Sequence, residues 1–180
     1  MCSSDLLRSA AADNDLILTS GGVSVGEEDH LRPAARAEGR IELWQMAAKP
    51  GKPLAFGAVN RPGGGEALLM GLPGNPVSSF ITFLLAVAPV LRVMQGGSAA
   101  LPTAWPLRAA FDWPKPDRQR REFMRARLNS QGELELFDNQ SSGVMTSAVW
   151  ADGLIDNPAG QAIARGETVR FLPLATLMAA

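Results

Sequence analysis

The feature that most restricts the fold is a long apolar stretch at residues 77–94, directly after the sequence LPGNP. Asn75 is suited to cap a helix there, and Pro76 is suited to its first position. The following residues are apolar on nearly every side, so we expect this helix to be buried rather than to lie on the surface.

Strand-like and helix-like segments alternate before that helix. Residues 5–12 and 29–37 read as helices, and the strand-like apolar runs are residues 15–19, 41–46, 54–59 and 67–71. This alternation predicts an α/β layer sandwich with a mostly parallel sheet. With about four strands and a helix at its start, the sandwich is expected to be incomplete.

The chain changes character at residues 96–106, GGSAALPTAWP, a sequence typical of an interdomain linker. Short strand-like pieces separated by turn signals follow, at residues 106–111, 122–128, 133–137, 153–157 and 168–171. Their spacing predicts a small all-β barrel or sandwich. We therefore expect two domains, residues 1–97 and residues 102–180.

Composition excludes several classes of function. A formal net charge of -1 argues against a general nucleic-acid binder. With Cys2 and His30 as the only residues of their types, no internal disulfide, CxxC pair or multi-histidine zinc site is expected. The apolar run at residues 81–93 contains Pro89 and is too short to span a bilayer, and the first residues do not resemble a signal peptide, so we expect a cytoplasmic protein.

Three unusual loops each follow a predicted strand. SGGVSVGEED follows residues 15–19, KPGKP follows residues 41–48, and LPGNPVSS follows residues 67–71. In open α/β sheets, ligands bind beyond the carboxyl ends of the strands. If the strands are parallel, the three loops meet at one edge of the sheet and form a site there.

The first loop combines glycines with acidic residues. Gly21 and Gly22 let the backbone approach a ligand, and backbone N–H groups can hold anionic oxygens. Ser24, Glu27 and Asp29 follow, and carboxylates beside a phosphate site usually hold a hard cation such as Mg²⁺. The alternative is a plain turn with a solvated acidic helix start.

The second loop contains two of the three lysines in a chain whose other basic residues are all arginine. Pro50 and Pro53 stiffen the loop around Lys49 and Lys52. Two ammonium groups on a rigid turn repel each other unless an anion lies between them, which favours an oxyanion clamp. The alternative is an exposed basic turn.

The third loop leads into the apolar helix, whose first turn has unpaired N–H groups and a positive dipole end. Gly74, Asn75 and Ser78 are its candidate anion-binding residues. The alternative is simple capping by Asn75, which needs no ligand.

A basic stretch at residues 118–127 is the fourth feature. On a strand, Arg121, Phe123, Arg125 and Arg127 share one face, which suits a phosphate or a partner. The alternative is a solvated face of the β domain. The tryptophans at positions 105, 113 and 150 are expected to be core or interface anchors.

The ordered motifs DLILTSGGVSVGEED, AAKPGKPLAFG and LLMGLPGNPVSSF resemble those of the MoeA/gephyrin family of molybdopterin molybdenumtransferases. The similarity is strong over residues 5–95. The segments REFMRARL and DNQSSGVMTSAVWADGLIDNP look like the family's C-terminal β-barrel domain, more loosely. The chain thus resembles the C-terminal portion of such an enzyme, without the first strand of the α/β domain and the domains before it.

The resemblance implies an incomplete molybdopterin-binding sandwich followed by a β-barrel-like domain. It implies a transferase of molybdenum cofactor biosynthesis that inserts molybdate into adenylylated molybdopterin, with Mg²⁺, and releases AMP. Homodimerisation and an adenylylating MogA-type partner are further expectations. A portion of this kind is expected to lack part of the active site, and could be inactive alone.

Matching the motifs residue by residue assigns roles. Asp29, Lys49 and Lys52 are expected to be catalytic, and Asp29 with Glu27 to bind the metal. The expected substrate-binding residues are Gly21, Gly22, Ser24, Pro53, Gly74, Asn75, Ser78, Arg125 and Ser142. The alternative function is a non-catalytic molybdopterin-binding or scaffold module of the same fold. A third reading is the adenylylating enzyme that shares the fold.

Overall fold

The computed structural model of the protein describes residues 3–23, 30–98 and 102–178. Contacts divide the chain into two compact units, the first of Met1–Met46 with Gly51–Ser79, the second of Ala47–Pro50 with Phe80–Ala180. The chain therefore passes between units after Met46, after Pro50 and after Ser79. The sequence-based boundaries at residues 97 and 102 stay a prediction.

The helices and strands of the first unit lie where the apolar periodicity predicted them, with ends shifted by one or two residues. In chain order they are α1 (Ser3–Asp13), β1 (Leu16–Ser20), α2 (Leu31–Glu38), β2 (Gly39–Gln45), β4 (Pro53–Asn60) and β5 (Glu66–Leu72). Strand β3 (Ala48–Lys49), between β2 and β4 in the chain, belongs to the second unit. The α/β class predicted for this part is confirmed.

The sheet of the first unit has the order β1-β5-β4-β2. Among its neighbouring strands, only the pair β1–β5 is parallel, whereas β4 is antiparallel to both β5 and β2. The prediction of a mostly parallel sheet was wrong, because the turn at residues 61–65 is too short for the crossover that parallel neighbours need. Since β2 and β5 both oppose β4, the carboxyl ends of β1, β5 and β2 still meet at one edge.

Both helices of the first unit pack against the sheet through small residues. The core comprises Leu7 and Ala11 of α1, Ala34 and Ala35 of α2, and Ile17, Val59, Ala67 and Leu69 of the strands. Alanines at the helix surface allow close approach of helix and sheet, as dense interior packing requires.

The apolar segment Pro76–Met94 is helical throughout, but not uniform. It comprises α3 (Pro76–Thr82), a π-helical turn (Phe83–Val87) and α4 (Ala88–Met94). Pro89 has no N–H to donate to the carbonyl four residues earlier, and a wide turn accommodates that loss. The Asn75 backbone carbonyl accepts a hydrogen bond from Ser79 N at 2.8 Å, so the helix begins where predicted.

This helical segment has 19 residues and a mean hydropathy of 2.0, with 39% of its window buried. Its length and composition suffice to cross a membrane, contrary to the expectation from the shorter run at residues 81–93. The core helix of a soluble protein passes the same criterion of length and composition.

The second unit contains a six-stranded sheet of order β3-β7-β9-β10-β6, with β8 also paired to β7. Its elements are β3 (Ala48–Lys49), β6 (Trp105–Arg108), β7 (Arg121–Leu128), β8 (Leu134–Leu136), α5 (Thr146–Trp150), β9 (Gly153–Asn157), β10 (Thr168–Pro173) and α6 (Leu174–Met178). The five predicted strands of this unit are confirmed. β3, α5 and α6 were not predicted.

An isolated bridge joins Ala109, just after β6, to Leu134 of β8. Barrel closure itself stays a prediction. The core of this unit comprises Ala109, Met124, Ala126, Leu134, Ile155, Ile163, Val169 and Phe171. Met124 and Ala126 alternate with arginines along β7, so one face of that strand packs into the core.

Candidate functional site

A cavity of about 300 Å³ lies beside strand β7 in the second unit. On one edge of β7, β3 pairs with Arg121 and Glu122, and β8 pairs with residues 126–128. Residues 123–125 lie in the gap between these two short strands. The cavity is lined by Lys49, Pro50, Trp113, Glu122, Phe123, Met124, Arg125, Gln140 and Ser141.

Glu122 is a buried carboxylate of this cavity, with only 2% of its surface exposed. Its Oε1 accepts a hydrogen bond from Lys49 Nζ at 3.1 Å, and its Oε2 accepts one from Trp113 Nε1 at 2.9 Å. Asn157 Nδ2 lies 3.5 Å from the same Oε2. The Lys49 side chain is 44% exposed, so the ammonium is anchored on one side and open to solvent on another.

Arg125 is a buried cation with neutral partners. It is 1% exposed, and its guanidinium donates from Nε to Ser147 Oγ and from Nη2 to the Ser141 carbonyl, both at 3.1 Å. Within the described ranges it forms no ion pair with a carboxylate. Burial lowers the pKa of Arg125 to about 10, so it remains protonated near neutral pH. A buried guanidinium without a counter-charge favours an anion.

Gln140 completes the edge of β7 beside Arg125. Its Oε1 accepts from Arg125 N at 2.9 Å, and its Nε2 donates to the carbonyls of Arg125 and Phe137 at 2.9 and 3.0 Å. The amide side chain thereby replaces a neighbouring strand. Gln140, Ser141 and Ser147 belong to one continuous segment of the chain, and together they cover Arg125. The alternative of a solvated face is therefore wrong at Arg125, whose side chain is buried.

The first unit presents glycines at the edge where β1, β5 and β2 end. Gly21 and Gly22 have φ values of 86° and 69°, which favour glycine, and Gly21 N donates to the Leu72 carbonyl at 3.0 Å. A Cβ placed on Gly74 would lie 3.8 Å from Gly21 Cα, so the first and third loops meet. Lys52 is exposed and precedes β4 at the same edge.

The structure thus brings the sequence-predicted residues together in two groups. Lys49 and Arg125 line one cavity, and Ser142, half-buried, follows the cavity residue Ser141 in a turn. The other group, at the sheet edge of the first unit, comprises Gly21, Gly22, Lys52, Pro53, Gly74 and Asn75. The roles of both groups stay predictions.

Three candidates lie outside the described residues, namely Ser24, Glu27 and Asp29. Ser78 is 4% exposed at the start of α3, where its neighbour Ser79 donates from Oγ to the Pro73 carbonyl at 2.6 Å. Among residues 3–23, 30–98 and 102–178, no cluster of three acidic, histidine or cysteine side chains could hold a metal ion. Mg²⁺ at Glu27 and Asp29 stays a prediction.

Sequence reasoning missed Glu122, Trp113, Gln140 and Asn157. Glu122 carried a usable signal, because it shares the alternating strand face of Met124 and Ala126. An acidic residue on an apolar strand face needs buried hydrogen-bond donors, and that requirement indicates a polar cluster. The other residues pair with partners that no local pattern reveals.

Two family models match the chain in order. The first, described as a probable molybdopterin binding domain, matches residues 3–93, and the second, the MoeA C-terminal region (domain IV), matches residues 106–174. The solved structure of the molybdopterin biosynthesis MoeA protein from Pyrococcus horikosii superposes with a TM-score of 0.68 and 26% identity, covering 88% of this chain and 37% of that one.

Curated relatives agree with these matches. A molybdopterin molybdenumtransferase from Haemophilus influenzae is 45% identical over 48% of this chain and 20% of its own length. One from Nostoc sp. is 28% identical over 94% of this chain and 40% of its own length. This chain therefore spans well under half the length of these relatives. With the molybdopterin-binding model matching half of the chain and the MoeA C-terminal model following it, the chain belongs to the MoeA family of molybdopterin molybdenumtransferases.

Proposed function

We propose that this chain acts in molybdenum cofactor biosynthesis, as part of a transferase that inserts molybdate into adenylylated molybdopterin and releases AMP. Family membership supports the pathway. The observation that carries the proposal is the shared cavity of Lys49 and Arg125, where a half-exposed ammonium and a buried guanidinium line one space.

Molybdate is a tetrahedral dianion, and this cavity offers suitable donors. Lys49 and Arg125 contribute two positive charges against the one negative charge of Glu122, so the wall is cationic overall. The guanidinium gives directed N–H donors, while the ammonium gives a compact charge that adapts to the oxyanion. In this proposal Arg125 orients molybdate, Lys49 neutralises it, and Ser142 lies close by.

The sheet edge of the first unit is proposed to hold the pterin nucleotide. Backbone N–H groups around Gly21, Gly22 and Gly74 suit phosphate oxygens, and Lys52 beside Pro53 adds a positive charge. Asn75 and Ser78 lie at the helix start that follows. Ser24, Glu27 and Asp29 are proposed, from the sequence, to complete this site. Mg²⁺ held there would supply charge neutralisation at the phosphates.

The family context extends the proposal to partners. A MogA-type enzyme that adenylylates molybdopterin would supply the substrate, a homodimer would complete the site, and the cytoplasm would be its location. The alternative is a scaffold that binds molybdopterin or molybdate without turnover. Release of AMP from adenylylated molybdopterin by the complete enzyme, in a mixture with molybdate, distinguishes the two.

Molybdate binding to this chain tests the cavity directly by titration calorimetry. Lys49→Ala and Arg125→Met are each expected to weaken binding at least about tenfold, or about 1.4 kcal/mol. Lys115→Ala is the matched control, because Lys115 is an exposed lysine of the same unit outside the cavity. Unchanged affinity in both cavity variants would exclude this cavity as the oxyanion site.

A further inference from the structure

We infer that Glu122 is a positioning residue that holds the Lys49 ammonium in the oxyanion cavity. The inference rests on the proposed function and deepens it, because it explains how a flexible lysine becomes part of a defined site. Glu122 itself, a carboxylate, is not expected to touch the anion. It acts through Lys49.

The carboxylate of Glu122 is fixed independently of Lys49. Trp113 Nε1 donates to Oε2 at 2.9 Å, and the Trp113 backbone is itself paired with Ile163 in both directions, at 2.7 and 3.1 Å. Asn157 approaches the same oxygen at 3.5 Å while donating to the Gln161 carbonyl at 2.9 Å. These neutral donors from two other segments hold the carboxylate in place, leaving Oε1 for the ammonium.

Lys49 needs such an anchor. It lies on β3, which has only two residues, and its side chain is 44% exposed. A free lysine side chain has many rotamers, and ordering it upon ligand binding costs conformational entropy. The ion pair with buried Glu122, at 3.1 Å, orders the side chain beforehand. The ammonium has three donors, so two remain for an oxyanion once Glu122 has taken one.

A purely electrostatic reading gives the opposite expectation. Loss of the Glu122 charge makes the cavity wall more cationic, which by itself would attract an anion more strongly. Solvent screens the half-exposed Lys49, so this gain is small, whereas an unanchored ammonium is free to leave the cavity. We therefore expect the positional loss to exceed the electrostatic gain.

The test is a double-mutant cycle on the whole chain, with molybdate affinity measured by titration calorimetry. Glu122→Gln is expected to weaken binding about tenfold, close to the effect of Lys49→Ala. The double variant is expected to bind no more weakly than Lys49→Ala alone, since Glu122 acts only through Lys49. Glu135→Gln, an ion-paired carboxylate on β8 outside the cavity, is the matched control and is expected to change nothing.

Equal or tighter molybdate binding by Glu122→Gln would overturn the inference, as would effects that multiply in the double variant. Trp113→Phe provides a second variant if Glu122→Gln does not fold, because it removes one donor to Oε2 and keeps the ion pair. It is expected to weaken binding when Lys49 is present and to have no effect in Lys49→Ala. If Lys49→Ala and Arg125→Met themselves leave binding unchanged, the proposed function fails, which is a separate result.

Discussion

Arg125 Nε lies 3.1 Å from Ser147 Oγ, and both side chains are buried in the second unit. The serine hydroxyl in turn donates to the Val144 carbonyl at 2.6 Å, so it accepts from Arg125 while remaining satisfied itself. The Arg125 guanidinium thus donates its hydrogen bonds to neutral oxygen atoms. Hydrogen bonds of this kind reduce the cost of burying a charge without cancelling it.

Arg125→Met should therefore separate stability from binding. The ligand-free variant is expected to be as stable as the parent or more stable by about 1 to 3 kcal/mol, because an apolar side chain removes the buried charge. Molybdate should stabilise the parent against thermal unfolding, and not the variant. Thermal melts with and without molybdate measure both effects. A large loss of stability in the ligand-free variant would show that Arg125 holds the fold together.

Asp156 should be the carboxylate that most stabilises the second sheet. It is 5% exposed, and both Arg121 and Arg170 donate to it from neighbouring strands. Its hydrogen bond raises the pKa of Arg121 above the ordinary value. Asp156→Asn is expected to lower the free energy of unfolding by about 2 to 4 kcal/mol.

Glu135→Gln is the control for that prediction. Its ion pair with Arg127 joins two side chains that are 36% and 45% exposed, so the loss should stay below about 1 kcal/mol. Urea unfolding compares the two variants. Equal losses would mean that burial of Asp156 contributes nothing beyond an exposed pair.

Asp117 should make the chain more stable at mildly acidic pH than at strongly acidic pH. Hydrogen bonds from the Arg120 side chain and the Gln119 amide lower the pKa of Asp117 from 3.8 to about 2. Because the folded-state pKa is the lower one, the stabilisation is complete above pH 3.8 and is lost as the pH falls towards 2. Asp117→Asn should make the urea midpoint depend less on pH between pH 3.8 and about 2. A carboxyl titration of Asp117 near 3.8 in the folded state would contradict this.

Gly153 should not tolerate a side chain. It begins β9 and is buried, and an added Cβ would collide with the Leu172 carbonyl and the Phe171 ring. Gly153→Ala is expected to destabilise the chain by about 2 kcal/mol or more, through displacement of the core. Gly143→Ala is the matched control, because no atom lies within 4 Å of its added Cβ. Circular dichroism melts of both variants provide the comparison.

The sequence predicted the positions of helices and strands well, because the spacing of apolar residues and the glycines and prolines at segment ends are local signals. It did not predict strand direction. The runs that form β4 and β5 read as continuously apolar, and such runs occur in parallel and antiparallel sheets alike. The glycine-rich turn at residues 61–65 carries the missing information, because so short a connection between two strands indicates a hairpin.

The candidate site was only partly predictable for a different reason. Lys49 and Glu122 are 73 positions apart, and β3 is too short to show any periodicity. Alternation along β7 correctly placed Arg125 on one strand face, but it could not reveal that the segment with Gln140 and Ser147 covers that face. Burial by a distant segment depends on the whole fold.

Residues 47–50 belong to the second unit, although the residues on either side of them belong to the first. This arrangement has a practical consequence for the design of truncated proteins. A fragment made of residues 102–180 would be expressed without Lys49, and the edge of β7 at Arg121 and Glu122 would lose its neighbour. The Glu122 carboxylate would then lack the lysine ammonium with which it forms an ion pair. Any truncated protein meant to isolate the second unit must therefore also include residues 47–50.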